Sequence, residues 1–176
     1  HKHKFVYIAI TKTGSTTLRY LLDKHSDIIS KPSGEFHHHI TSHRLKDVFT
    51  KNNWNWDDYL KFTVSRHPIS RIYSMYKFRM SVANNPPTEY MKTHKNVYIF
   101  YENCVKFKDL NLTFEDAILS NRIGIPPQTD WILSSDQSKS LLDKIIKIEN
   151  IAEELPAIWN QLKLPLEEIR NIPILN

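Results

Sequence analysis

The chain predicts an α/β fold: a P-loop-like three-layer sandwich with a central, mostly parallel sheet of about four to five strands and helices on both faces. Three observations carry that prediction. Residues 5–10 (FVYIAI) and 59–65 (YLKFTVS) are short runs rich in β-branched and aromatic residues, bounded by polar ones, as buried strands are. Each run ends in a polar turn, and each turn leads into apolar residues at helical spacing: Leu18, Leu21 and Leu22 after the first, Ile69, Ile72, Tyr73, Tyr76 and Met80 after the second. Strands alternating with helices pair in parallel through right-handed crossovers, which bring both turns to one rim of the sheet. Ligands of such sheets bind on that rim, beyond the carboxyl ends of the strands.

Composition bounds the rest. A chain of 176 residues with an apolar fraction of 40% reads as one domain, 1–176, with room for a core. No run approaches the ~18 consecutive apolar residues of a membrane span, and the opening HKHKF has no signal-peptide core. The single cysteine, Cys104, excludes an internal disulfide and favours a reducing compartment. A cytoplasmic location is expected, with the Golgi lumen as the alternative if an anchor has been removed. A net charge of +5 and a pI of about 9.2 suit a polyanionic ligand, an acidic substrate or nucleic acid. Nucleic acid has no motif support, because there is no Lys/Arg run and no zinc-finger spacing.

In chain order, the first helix is expected to end near His25. Ile28-Ile29-Ser30 reads as a further short strand and Lys31-Pro32-Ser33-Gly34 as a turn. A helix over 42–50 follows Thr41 as N-cap. Trp54 and Trp56 punctuate a polar loop before the second main strand, and Pro68 suits the first position of the next helix. Residues 83–95, with Asn84-Asn85-Pro86-Pro87, read as an excursion, and 96–107 fit helix or strand. Thr113 and Asp116 have capping-box spacing for a helix through about Ser120. Residues 124–131 read as a loop, and a short helix is expected to end at Leu141-Leu142. Residues 145–148 form a last strand, and Asn150 with Glu153 caps a helix that Pro156 should kink or restart.

The turn Thr11-Lys12-Thr13-Gly14-Ser15-Thr16-Thr17 has the makings of an anion site. A helix's first turn offers unpaired N–H groups and a positive dipole end. Lys12 adds a mobile charge, Gly14 permits a close backbone bend, and Ser15, Thr16 and Thr17 offer hydroxyl donors. The pattern is not G-x-x-x-x-G-K-[ST], so an ordinary Walker site is not indicated, and a plain N-cap is the simpler alternative. Glu35-Phe36-His37-His38-His39 supplies titratable side chains. In an extended segment His37 and His39 share one face; the plainer alternative is a surface cluster or an adventitious metal site with His43.

These residues resemble the sulfotransferases that use 3′-phosphoadenosine 5′-phosphosulfate (PAPS), especially the carbohydrate and heparan-type branch and its bacterial relatives. FVYIAITKTGSTTL is similar to the family's 5′-phosphosulfate loop, with Thr11 in place of the usual proline. FTVSRHPISRIYSMY resembles the 3′-phosphate motif, an arginine (Arg66) followed eight residues later by a serine (Ser74). Weaker similarities are His39-Ile40-Thr41-Ser42 to a His-x-Thr-Ala stretch, Thr113-Phe114-Glu115-Asp116 to a Ser-Phe-Glu segment, and Pro127-Gln128 to a Pro-Gln loop. Asp143 to Asn150 is similar to a D-x-I-x-R-x-E-N element with Lys147 replacing arginine.

The resemblance implies sulfuryl transfer from PAPS to a hydroxyl or amine of a carbohydrate or small-molecule acceptor, with 3′,5′-ADP as product and no metal. It implies a 5′-phosphate cradle of Lys12, Thr13, Gly14, Ser15, Thr16 and Thr17, with Lys12 stabilising the leaving phosphate. Arg66 and Ser74 would hold the 3′-phosphate. For the base, His39 comes first, His37 second and Glu35 next. The competing readings are a P-loop kinase, which would need Mg²⁺ ligands, and a non-catalytic anion- or nucleotide-binding module. A serine acyl-transfer enzyme, suggested by Ser74-Met75-Tyr76-Lys77 with Lys12-Thr13-Gly14, has its motifs in the wrong order. Trp54, Trp56, Tyr90 and Trp131 either stack on an acceptor or pin their loops; the sequence leaves acceptor and oligomeric state open.

Overall fold

The computed structural model describes residues 2–32 and 34–170. Three strands form one parallel sheet, β1 (Phe5–Ile8), β2 (Leu60–Ser65) and β3 (Lys144–Lys147), in that order. The register sets Tyr7 opposite Phe62 and Val64 opposite Ile146, so these side chains share one face with Phe5. Against that face pack Leu18 and Leu22 of α1 (Ser15–Asp23) and Leu155, Ile158 and Trp159 of α8, a helix at Ile151–Gln161. Val6, Ile8 and Ile10 belong to the opposite face and meet Leu45, Val48 and Phe49 of α2 (Ser42–Lys51) together with Trp56, Tyr59 and Trp131. Each fully buried side chain of this kind contributes on the order of 1.5–3 kcal/mol, which is why β2, flanked by strands on both edges and apolar groups on both faces, is the best-buried strand.

The fold is α/β as expected, with three strands among the described residues rather than four to five. The missing strand is Ile28–Ser30: that segment has no ladder pairing, the isolated bridge beside it joins Lys31 to His37, and Ile28 and Ile29 stay 40% and 50% exposed. Three residues ending at a proline-containing turn give a ladder too few bonds to hold. Ser33 of that turn lies outside the described residues. No helix ends at Leu141-Leu142; the chain there makes a bridge between Leu133 and Ser140. Helix α8 runs through Pro156 without a restart, its buried Leu155, Ile158 and Trp159 holding it against the sheet, and Asn150 caps it without a side-chain bond.

The chain divides into two compact units: one comprises the residues before Pro68 and after Pro126, including the whole sheet, and the other is Pro68–Pro126. The second unit holds α3 (Pro68–Asn84), α4 (Glu89–Thr93), α5 (Lys95–Asp109) and α6 (Phe114–Leu119). The expected excursion over 83–95 thus contains a helix, capped by Thr88, and the ambiguous aromatic stretch is helical. Thr113 caps α6 as expected: its Oγ1 accepts from the Asp116 N–H at 3.1 Å, while the Asp116 carboxylate accepts from that hydroxyl at 2.7 Å, so half of the capping box is formed. Phe107, Ala117 and Ile123 form the core of this unit. The loop over 124–131 ends in a short helix that belongs to the first unit, α7 (Thr129–Ile132). No helix among the described residues is long and apolar enough to cross a membrane.

Candidate functional site

Because β1 and β2 are parallel neighbours, the turns that follow them emerge side by side. The first turn is shaped by its own backbone. Lys12 has φ 64° and Gly14 φ 77°, the left-handed conformation that costs a side-chain-bearing residue on the order of 1–2 kcal/mol. A Cβ at position 14 would also lie 2.8 Å from Ile148 Cδ1, so the end of that side chain would have to shift. Thr13, between them, is fully buried and its hydroxyl donates to the Ile10 carbonyl at 3.0 Å, which closes the turn from inside. Gly14 is the N-cap of α1, where no side chain caps the helix and no acidic residue stands in the first turn. The first-turn N–H groups of Ser15, Thr16 and Thr17 therefore face the rim without a carboxylate to compete for an anion. Ser15 is buried, Thr17 half-buried and Thr16 exposed.

Arg66 stands in the second turn. Its guanidinium Nη1 donates to the Lys12 carbonyl at 3.5 Å, so the cation of one turn reaches the backbone of the other. The Lys12 ammonium is half-buried, and burial, then the charge of Arg66, holds its pKa below the ordinary 10.5. Gln128 brackets the Arg66 backbone: its Oε1 accepts the Arg66 N–H at 2.9 Å and its Nε2 donates to the Arg66 carbonyl at 2.8 Å. Glu149 Oε1 accepts the next N–H, that of His67, at 2.8 Å. Burial pushes the Glu149 carboxyl upward, but this bond, with the charges of Arg66 and His67, brings it below its ordinary value. Ser74 lies on α3, in the second unit.

The histidines separate. His39 Nδ1–H donates to the Ala9 carbonyl at 2.7 Å, and the Trp131 indole N–H donates to the His39 carbonyl at 3.0 Å, so ring and backbone are both pinned. Donation from Nδ1 leaves the neutral ring with its lone pair on Nε2. Burial, against the Ala9 bond and with the nearby charges of Arg19 and His37, holds His39 below the ordinary 6.5, favouring that neutral form. His37 and His38 instead both line a cavity of about 140 Å³ along the open edge of β1, bordered also by Tyr7, Arg19, Phe36 and Trp54. The alternation expected of an extended segment is thus replaced by a turn. His38 Nδ1 is within 3.0 Å of the Ser30 hydroxyl, and Glu35 pairs with Lys51 at 2.8 Å on the surface. Among the described residues no three His, Cys, Asp or Glu side chains converge as a metal-ligand set.

The structure therefore brings Lys12, Gly14, Ser15 and Arg66 to one rim, holds His39 against the Ala9 carbonyl, and leaves Glu35 in a surface pair. Sequence reasoning did not assign a role to Gln128 or Glu149, although both fall in loops that resembled family segments; the signal was present without its meaning. It also passed over Arg19, which the first helix carries to the histidine cavity.

Comparison with known proteins gives one result. A profile described as the sulfotransferase family matches residues 1–164, nearly the whole chain and both of its units. No curated protein and no solved structure matches it. With two strand-end turns carrying paired cations, a bare helix N-terminus and a family match of this extent, the chain belongs to the sulfotransferase family.

Proposed function

We propose that this chain transfers a sulfuryl group from PAPS to a hydroxyl, or an amine, of a carbohydrate or small-molecule acceptor by in-line displacement. One observation carries the reading: Lys12 and Arg66, cations from adjacent turns, stand close enough on a half-buried rim that Arg66 helps to depress the Lys12 pKa. A ligand with phosphate at two positions relieves that repulsion, and the uncapped N-terminus of α1 suits one of the phosphates. When bound, the donor supplies the sulfuryl group and its 5′-phosphate is the leaving group.

The residues divide the work. The N–H groups of residues 13–17 and the hydroxyls of Ser15, Thr16 and Thr17 cradle the 5′-phosphate; Thr13 contributes only its backbone, since its hydroxyl is held by Ile10. Lys12 neutralises charge as it develops on the leaving phosphate, a preorganised role worth roughly 10²–10³ in rate. Arg66 gives up its long bond to the Lys12 carbonyl for a charge-assisted fork on the 3′-phosphate. His39, neutral and oriented by Ala9, takes the acceptor proton on Nε2. His37 is the second choice, and the Lys51 pair puts Glu35 behind both.

Titration calorimetry with 3′,5′-ADP, in chelator, tests the donor. Saturable binding without Mg²⁺, at least about tenfold tighter than 5′-AMP, is expected, a difference of roughly 1.4 kcal/mol for the extra phosphate. Preference for Mg-ATP would turn the reading toward a kinase, and failure to bind any nucleotide would overturn it.

A further inference from the structure

A ligand-holding side chain is only as well aimed as its Cα. Arg66 lies one residue beyond β2, where the ladder to β3 has ended with Ser65 opposite Lys147, so its peptide groups need other partners. They find them in side chains. The peptide before the Arg66 Cα is held through its N–H by Gln128 Oε1, at 2.9 Å. The peptide after it is held twice, through the Arg66 carbonyl by Gln128 Nε2 at 2.8 Å and through the His67 N–H by Glu149 Oε1 at 2.8 Å. The Gln128 amide acts as a short piece of neighbouring strand, offering an acceptor and a donor to one residue. Both peptide planes flanking Arg66 are thereby anchored, and the guanidinium's remaining freedom is in its own side chain.

We infer that Gln128 is a positioning residue that aims Arg66, and that it sets the enzyme's preference for a 3′-phosphorylated nucleotide. The inference rests on Arg66 being the 3′-phosphate ligand. Gln128 touches no phosphate in this scheme; it acts only through the Arg66 backbone. Residue type matters here: Met, of similar length, can supply neither bond, and Glu can supply only the acceptor.

The test compares the affinities of 3′,5′-ADP and 5′-AMP for the wild type, Gln128→Met and Arg66→Ala. Losing the two-point clasp should reduce the 3′-phosphate preference of Q128M about tenfold, while 5′-AMP affinity stays within about twofold. In turnover, donor KM should rise with kcat held. A general loosening of the fold would weaken both nucleotides together, so the ratio isolates the aiming role. Q128M with the wild-type ratio, where R66A has lost it, overturns this inference alone. A wild type that does not distinguish the two nucleotides overturns the Arg66 reading and this inference with it. Should Q128M not fold, Gln128→Glu keeps the acceptor for the Arg66 N–H and carries the same test: a severalfold fall in the ratio is expected, and an unchanged ratio overturns the inference.

Discussion

The turn after β1 carries its shape in its own backbone, through positive φ at Lys12 and Gly14 and the inward hydroxyl of Thr13. The turn after β2 is shaped from outside, by Gln128 and Glu149, which stand 62 and 82 residues further along the chain from the groups they bind. Both follow a parallel strand and both present a cation, yet one is a local device and the other a tertiary one. The difference predicts how each fails: the first through its own residues, the second through residues that a local motif does not contain.

The largest effect should come from the first turn's charge. Lys12→Ala is expected to lower kcat by roughly 10²–10³, measured by transfer of labelled sulfate to a responsive acceptor; turnover equal to wild type would remove Lys12 from the leaving-group role.

The turn's backbone comes next. Gly14→Ala puts a Cβ on a residue with φ 77° and 2.8 Å from Ile148 Cδ1, so a loss of about 1–3 kcal/mol is expected in denaturant unfolding. Ile148→Val removes that methyl, so the double variant should lose less than the two single losses added together. Strict additivity would mean that the contact is irrelevant and backbone conformation alone sets the cost.

The finest-grained effect, a displacement of a pH limb, concerns His39, whose ring is held by the Ala9 carbonyl. Its folded pKa is depressed, so the neutral ring that would act as base is present above that depressed value and is lost as pH falls through it. The acidic limb of kcat/KM should therefore lie below 6.5, the ordinary imidazole value, and vanish in His39→Ala. A limb at or above 6.5 would point to another base, His37 first.

Local chemistry explains what could be read early. The two main strands, the turns behind them and the helix cap at Thr113 are each contained in fewer than about ten neighbouring residues, so residue type and spacing carry them. The strand expected at Ile28–Ser30 failed for the complementary reason. Its β-branched residues satisfy a local preference, but strand formation requires a partner edge, and the chain there bridges Lys31 to His37 instead. The histidines divide along the same line: their titrating chemistry was visible, while the choice of His39 as the pinned ring depends on the Ala9 carbonyl and Trp131.

By itself the sequence determined the α/β class, the two strand-end turns, and the identity of Lys12, Gly14 and Arg66 within them, because each depends on a handful of adjacent residues. Tertiary structure decided that Lys12 and Arg66 share a rim, that Gln128 and Glu149 hold the second turn, and that Glu35 is drawn to Lys51 at the surface. The physical reason is that hydrogen bonds and charges act through space within a few ångströms, and only folding sets which distant residues come that close.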